Sequence, residues 1–233
     1  MIEFGHGTHA GLRRRRNEDT YYADATLGLF LVADGMGGHR HGEVAAALVR
    51  DTVVELVSRG DDLLQAVQGA AARLLDCSRE GRDALPMGST IAALRVTADG
   101  YAAAWVGDSR IYLWQDTLRQ VSHDQALAQE LVDAGRLAAD AVARPPQRSV
   151  QTQALGVTAN GQLRIGLARG QLTGHMSFLL CTDGLTEAVD DAAISHLVGR
   201  LDLPAQECVD QLLLSALDGG GDDNVTALIV RCS

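Results

Sequence analysis

Aromatic residues and long apolar runs are scarce in this sequence. Aromatic residues make up 4% of the chain although hydrophobic residues make up 46%, so the core has to be built mainly from Ala, Val and Leu. No apolar run approaches the roughly 20 residues that a membrane helix needs. We therefore expect neither a membrane segment nor a membrane partner.

Paired cysteines are also lacking. Cys77, Cys181, Cys208 and Cys232 lie far apart and form no CxxC pair. This spacing disfavours a disulfide framework and a zinc knuckle, and it fits a reducing compartment. The first residues also lack the basic and apolar regions of a signal peptide. We expect a cytoplasmic protein.

Basic residues are outnumbered, with 20 Lys and Arg against 30 Asp and Glu and a formal net charge of −10. This balance disfavours a nucleic-acid partner, because such a protein needs a basic face. A length of 233 residues fits a single domain, 1–233, with a sizeable core. We expect that domain to be a monomer.

Acidic residues are present at the ends of apolar runs. The run 29–33 indicates a buried strand, and it ends at Asp34. A carboxylate at the exit of a buried strand is costly unless something uses it. Three further apolar runs have an acid at one end, so the set comprises Asp34, Asp108, Asp183 and Asp223. We predict one acidic pocket, at the edge of a sheet, that binds a metal ion. For Asp108, within Gly-Asp-Ser, a plain turn and a ligand are equally open.

The order of predicted elements favours antiparallel sheets covered by helix pairs over alternating βαβ units. Helices are predicted at 43–58, 62–78, 191–199 and 205–217 from apolar positions at helical spacing. Strands are predicted at 89–96 and 101–106, which form a hairpin, and at 111–114, 163–165, 177–180 and 225–230. The segment 123–150 is predicted to be an inserted flap. The fold class is therefore α+β.

The acids come without neighbouring His or Cys ligands, and such oxygen-only sets select Mg²⁺ or Mn²⁺ over zinc. Gly35 could add its backbone carbonyl as a ligand, because it has no side chain to block close approach. Two such ions sharing a carboxylate would hold a water between them and lower its pKa. Neither a P-loop nor a Ser-His-Asp elbow is present.

Four consecutive arginines, Arg13 to Arg16, precede Glu18 and Asp19. A charge run of this kind usually forms a solvated surface turn. The alternative is that one arginine reaches the pocket, because a guanidinium matches phosphate oxygens bidentately. Glu18 and Asp19 are either surface acids or a second acidic rim of the same pocket.

Seven motifs follow one another along the chain: Arg14-x-x-Asn17-Glu18-Asp19, Val32-Ala33-Asp34-Gly35-Met36-Gly37-Gly38-His39-x-x-Gly42-Glu43, Gly88-Ser89-Thr90, Gly107-Asp108-Ser109-Arg110, Leu155-Gly156, Cys181-Thr182-Asp183-Gly184-Leu185 and Asp222-Asp223-Asn224. In this order the set resembles the metal-dependent protein phosphatases of the PP2C (PPM) class, in their bacterial form. The resemblance implies a four-layer α-β-β-α sandwich of two mainly antiparallel sheets flanked by helix pairs. It also implies hydrolysis of phosphoserine and phosphothreonine in proteins, in opposition to a serine/threonine kinase, by attack of a metal-bridging water on phosphorus.

The resemblance also implies a role for each matching residue. Asp34 resembles the acid that bridges two Mn²⁺ or Mg²⁺ ions, and Arg14 resembles the arginine that binds the substrate phosphate. The other implied ligands are Gly35, Asp183 and Asp223 at the first ion, Asp19 and Glu18 at the second, and Asp108 with Asp183 at a third, weaker site. The chain departs from the family pattern at Gln125, where His is expected, which leaves the local loop packing open.

Two other functions fit parts of the pattern. A catalytically silent phosphoprotein-binding module would share the fold, but such relatives typically lose one or more acids and all are present here. A structural calcium-binding domain would need the Asp-x-Asp-x-Asp-Gly spacing, which the sequence lacks. A metal-dependent phosphatase is therefore the leading hypothesis.

Overall fold

The structure, a computed structural model, describes residues 1–37, 41–80, 87–126, 152–159 and 161–233. The strands in these ranges are β1 (Ile2–His9), β2 (Asp19–Asp24), β3 (Leu29–Met36), β4 (Gly88–Ser89), β5 (Ile91–Thr97), β6 (Gly100–Val106), β7 (Arg110–Gln115), β8 (Thr117–Gln120), β9 (Gly166–Gly170), β10 (Met176–Cys181) and β11 (Val225–Cys232). The helices are α1 (His41–Ser58), α2 (Leu63–Glu80), α3 (Asp183–Ala188), α4 (Asp191–Val198) and α5 (Ala205–Asp218).

The strands form two antiparallel sheets. One has the order β1-β11-β10-β7-β8, and the other has the order β2-β3-β5-β6-β9 with β4 paired to β3. The predicted hairpin is present, since Thr97 in β5 pairs with Gly100 in β6. Because β10 and β11 are neighbours in one sheet and β2 and β3 are neighbours in the other, the acids that flank these strands can meet at one end of the molecule.

The core has three apolar clusters, which separate four layers. Side chains alternate along β3, so Leu29 and Leu31 pack with α1 and α2, whereas Phe30 and Val32 pack between the sheets. The third cluster joins β10 and β11 to α3, α4 and α5. The predicted α-β-β-α sandwich is confirmed. No helix in the described ranges has the length and apolar character needed to cross a membrane.

Several element boundaries differ from the sequence prediction. β3 does not stop at residue 33 but continues to Met36, because Gly35 and Met36 pair with β4. The prediction of a strand at 163–165 is wrong, because β9 begins at Gly166. Arg164 instead bonds to side chains, donating its N–H to Gln153 Oε1 and accepting from Gln125 Nε2 at its carbonyl. The predicted flap at 123–150 lies outside the described residues except for 123–126.

Candidate metal centre

Acids from both sheets meet at one end of the sandwich. Asp19 at the start of β2 lies directly opposite Asp34 in β3, because the two are register partners in the antiparallel pair. In the other sheet, Asp183 follows β10 and Asp223 precedes β11. Two hydroxyl groups join the sheets at this point: Thr182 Oγ1 and Thr226 Oγ1 donate to Asp19 Oδ2 at 2.8 and 2.7 Å. The structure thus brings Asp19 into the predicted pocket.

Asp19 has one carboxylate oxygen without a partner. Its Oδ1 is buried and forms no hydrogen bond within the described part of the chain. Burial raises the pKa of Asp19 to about 7, although the hydrogen bonds from Thr226 and Thr182 act in the opposite direction. A buried oxygen of this kind is costly unless a donor or a cation satisfies it. The environment of Asp19 is therefore that of a cation ligand and not that of a surface acid.

Asp34 is held by its backbone. Its N–H donates to Thr90 Oγ1 at 3.0 Å, and its carbonyl accepts from Thr90 N–H at 2.8 Å and from the Ser89 hydroxyl at 3.1 Å. Burial raises the pKa of Asp34 well above its ordinary value, and the charges of Asp19 and Asp183 raise it further. This mutual destabilisation of ionised carboxylates is what a bound cation would relieve.

The Gly35 carbonyl and the Glu18 carboxyl group both lie against Gly42, at the start of α1. A Cβ atom on Gly42 would lie 2.6 Å from Gly35 O and 2.7 Å from Glu18 Cδ. Gly35 N–H donates to Glu18 O at 3.1 Å, which fixes the two residues relative to each other. Burial raises the pKa of Glu18, and the charges of Arg14 and Arg16 lower it. Both predicted oxygen donors thus lie at the start of α1, and both residues line the same cleft as Asp34.

Asn224 and Gly184 fix the loop that carries Asp223. Asn224 Oδ1 accepts from Glu18 N–H at 2.7 Å, and its Nδ2 donates to the carbonyls of Ala10 and Arg16 at 2.9 and 2.8 Å. A Cβ atom on Gly184 would lie 2.0 Å from Asn224 O, so only glycine allows α3 to pack this closely. The contact sets Asp183 beside Asp223.

Asp108 lies with Asp183 at a second corner of the centre. The pKa of Asp108 is raised to about 6, mainly by burial and secondly by the charge of Asp124. Burial raises the pKa of Asp183 as well, followed by the charges of Asp108 and Glu187. Glu187 is an acid that the sequence analysis missed. It lies four residues after Asp183 in α3, and its spacing becomes informative only once that short helix is known.

Arg14 contacts the centre through an ion pair with Asp223, which is itself a candidate metal ligand. Its Nη2 lies 2.6 Å from Asp223 Oδ2, and this hydrogen bond is the main cause that raises the pKa of Arg14. The charges of Asp34 and Asp183 act in the same direction. A cleft of about 520 Å³ lies here, lined by Arg14, Arg15, Arg16, Glu18, Asp34, Gly35, Met36, Gly37, Asp223 and Asn224.

The donor set fits a hard divalent cation, because it consists of carboxylate and carbonyl oxygens and includes an unsatisfied one. Within the described ranges, no three Asp, Glu, His or Cys side chains are already arranged to coordinate one ion. We therefore expect ion binding to rotate some of these side chains, including that of Asp223, which is held by Arg14. The individual ligand roles stay predictions.

Gln125, the departure from the family pattern, braces the loop that carries Asp108. Its Oε1 accepts from Gly107 N–H at 2.9 Å, and its own N–H donates to Gly107 O at 3.0 Å. Its Nε2 donates to Arg164 O at 2.8 Å. Gly107 has a φ of 97°, a conformation that favours glycine, so the loop is tightly specified.

Replacing Gln125 with Leu is expected to lower the free energy of unfolding by about 1–3 kcal/mol, because Gly107 N–H and Arg164 O lose their partners. Urea unfolding of the metal-free protein measures this change. Gln115→Leu is the matched control, since that amide bonds to Thr173 O at an exposed position. Equal losses in both variants would show that Gln125 has no special bracing role.

Comparison with known proteins identifies the family. A model described as Protein phosphatase 2C matches residues 7–217. The serine/threonine protein phosphatase PstP of Mycobacterium tuberculosis is 34% identical over 98% of this chain, which spans 45% of that relative. The serine/threonine phosphatase stp of Listeria welshimeri is 30% identical, with 96% of this chain and 93% of the relative covered.

A solved structure shares the whole fold. The catalytic domain of the serine threonine protein phosphatase PstP, in complex with two manganese ions, superposes with a TM-score of 0.85 at 30% identity. The match covers 100% of this chain and 99% of that one. Together with the family model and the two relatives, this agreement shows that the chain belongs to the protein phosphatase 2C family.

Proposed function

We propose that this chain hydrolyses phosphoserine and phosphothreonine in proteins and depends on divalent metal ions. The observation that carries the proposal is the meeting of Asp19 and Asp34 from one sheet with Asp183 and Asp223 from the other. The names of the relatives supply the substrate class. A silent phosphoprotein-binding module is not favoured, because the full acid set is retained.

The proposed ions are Mn²⁺ or Mg²⁺. The manganese ions in the related PstP structure support the first, and the all-oxygen donor set suits both. When bound, such ions would neutralise phosphoryl charge and lower the pKa of a water molecule. The residues proposed to hold them are Asp34, Gly35, Asp183 and Asp223 at one site, Asp34, Asp19 and Glu18 at the next, and Asp108 with Asp183 at a third, weaker site.

The other residues of the centre orient these ligands. Thr182 and Thr226 orient the Asp19 carboxylate by donating hydrogen bonds to its Oδ2, and they leave the buried Oδ1 available to a cation. Thr90 fixes the backbone of Asp34 and also bonds to Ser109 at 2.7 Å, next to Asp108. Such prior positioning matters because phosphoryl transfer depends on placement and charge more than on covalent chemistry.

Arg14 is proposed to bind the substrate phosphate. Arg14→Ala is expected to raise KM for a phosphothreonine peptide about tenfold and to change kcat less than about threefold. Arg13→Ala is the matched control, because Arg13 pairs with the exposed Asp222 at 2.8 Å. An unchanged KM would indicate that another arginine binds the phosphate. A large fall in kcat would indicate that Arg14 acts by positioning Asp223.

The test measures hydrolysis of p-nitrophenyl phosphate and of a phosphothreonine peptide in the presence of Mn²⁺, Mg²⁺, Ca²⁺ or EDTA. Turnover with Mn²⁺ that is abolished by EDTA is the expected result. A folded protein without turnover in any metal would favour the silent binding module. Phosphopeptide binding would then replace turnover as the property to measure.

The proposal extends to partners and location. Phosphorylated proteins are the proposed substrates, and a serine/threonine kinase must supply the phosphoryl groups that this chain removes. A cytoplasmic location is supported by the free thiols of the four cysteines, of which Cys77 is exposed and the other three are buried.

A further inference from the structure

The four consecutive arginines do not form one uniform surface. Arg13 is paired with Asp222, and both side chains are mostly exposed. Arg14 is paired with Asp223 inside the candidate metal centre. Arg15 and Arg16 line the same cleft as Asp34, whereas Arg13 does not. The run therefore divides into one outward arginine and three that face the cleft.

Arg15 differs from its neighbours in its contacts with the described residues. The charge of Arg16 lowers the pKa of Glu18, against the effect of burial, so these two side chains are close. In the part of the chain that the structure describes, Arg15 has neither an ion-pair partner nor a hydrogen-bond partner. Arg15 is exposed and lines the cleft, so its guanidinium is accessible to a ligand that binds there.

The chemistry of this position suits an anion that enters with the substrate. A guanidinium presents a planar fork of donors that matches either a carboxylate or a phosphate group. Consecutive residues of an extended peptide lie about 3.3–3.6 Å apart, so a group one or two residues from the reacting one remains within the cleft region. The cleft of about 520 Å³ is lined by both Arg14 and Arg15, which are adjacent in sequence.

We propose that Arg15 forms a second anion subsite, and that the preferred substrates carry a carboxylate or a second phosphate one or two residues from the phosphorylated residue. This inference rests on the proposed phosphatase function. It assigns Arg14 to the phosphate that is removed and Arg15 to the neighbouring anion. Such a subsite would allow a protein with a net negative charge to bind an acidic peptide.

The test uses phosphothreonine peptides of one length that differ only in the neighbouring residue, which is Gln, Glu, Lys or phosphoserine. With Mn²⁺ and the full chain, kcat/KM is expected to be about fivefold higher for the Glu peptide than for the Gln peptide. Arg15→Ala should reduce this ratio to about one, and Arg15→Lys should keep part of it. Arg13→Ala should leave the ratio unchanged, because Arg13 lies outside the cleft. A larger ratio for phosphoserine than for Glu would identify a second phosphate as the preferred anion.

The subsite is overturned if Arg15→Ala keeps the wild-type ratio, or if Arg13→Ala removes it equally and reveals a general charge effect. Peptide dissociation constants from fluorescence anisotropy are measured in parallel. If no peptide is hydrolysed, the phosphatase proposal fails, and the ratio of dissociation constants still decides whether Arg15 selects the neighbouring anion.

Discussion

Replacing Asp34 with Asn is expected to lower kcat for a phosphothreonine peptide by at least about 1,000-fold. Asp34 lies opposite Asp19 in the sheet, and the charges of Asp19 and Asp183 both raise its pKa. Its loss would therefore remove the carboxylate proposed to be shared by two ions. The metal-free variant should be at least as stable as the wild type, because burial and the charges of Asp19 and Asp183 already disfavour ionised Asp34.

The matched control for this experiment is Asp222→Asn. Asp222 is adjacent to Asp223 in sequence, but it is largely exposed and pairs with Arg13. We expect its kcat to stay within about twofold of the wild-type value, as for other exposed ion pairs. Circular dichroism and thermal unfolding verify that both variants are folded. A folded Asp34→Asn variant with wild-type kcat would refute the proposed mechanism.

Mn²⁺ is expected to raise the midpoint of thermal unfolding, and to raise it more as the pH increases from about 5 to about 8. The pKa is raised to about 7 for Asp19 and to about 6 for Asp108. Between the ordinary carboxyl pKa and these values, the folded state binds more protons than the unfolded state. The metal-free protein should therefore lose stability as the pH rises through this window.

A bound cation replaces those protons, so the affinity for Mn²⁺ should increase over the same pH range, by up to tenfold per pH unit for each proton displaced. At a concentration about 100 times Kd, the ion adds about 2.7 kcal/mol, which corresponds to several degrees in Tm. Scanning fluorimetry with Mn²⁺ or EDTA measures both trends. A metal-free Tm that rises with pH, or a Mn²⁺ effect independent of pH, would contradict this account.

The sequence predicted the fold class, and it located those residues of the candidate site whose signals are local. Asp34 and Asp183 follow continuous apolar runs, and Asp223 precedes one, so their own neighbours place each acid within two residues of a strand end. Helices α1, α2, α4 and α5 are present close to their predicted bounds, because their apolar residues recur at helical spacing.

Features that depend on contacts between distant segments could not be predicted from the sequence. β1 alternates apolar residues only at Ile2 and Phe4, and its remaining glycines, histidines and threonine form a strand because they pair with β11. The burial of Asp19 depends on hydroxyl groups of Thr182 and Thr226, which are 163 and 207 residues away. The Arg14–Asp223 ion pair spans 209 residues.

The strand predicted at 163–165 shows how tertiary contacts shift a boundary. Gly166 at the start of β9 pairs with Trp105, and a Cβ atom there would lie 2.0 Å from the indole ring. A glycine is therefore needed where β9 joins β6, although glycine is unfavourable for a strand when considered locally. Leu163 and Ile165 precede the strand and pack against the apolar cluster that joins α1 and α2 to β3.

Diffraction from crystals grown with Mn²⁺, measured near the manganese absorption edge, tests the central claim most directly. The account predicts two strong anomalous peaks on either side of the Asp34 carboxylate, with a weaker one near Asp108 and Asp183. Protein oxygens should lie about 2.0–2.2 Å from the strong peaks, the range for small hard cations. Manganese bound elsewhere, with no peak within coordination distance of Asp34 at saturating Mn²⁺, would contradict the proposed centre.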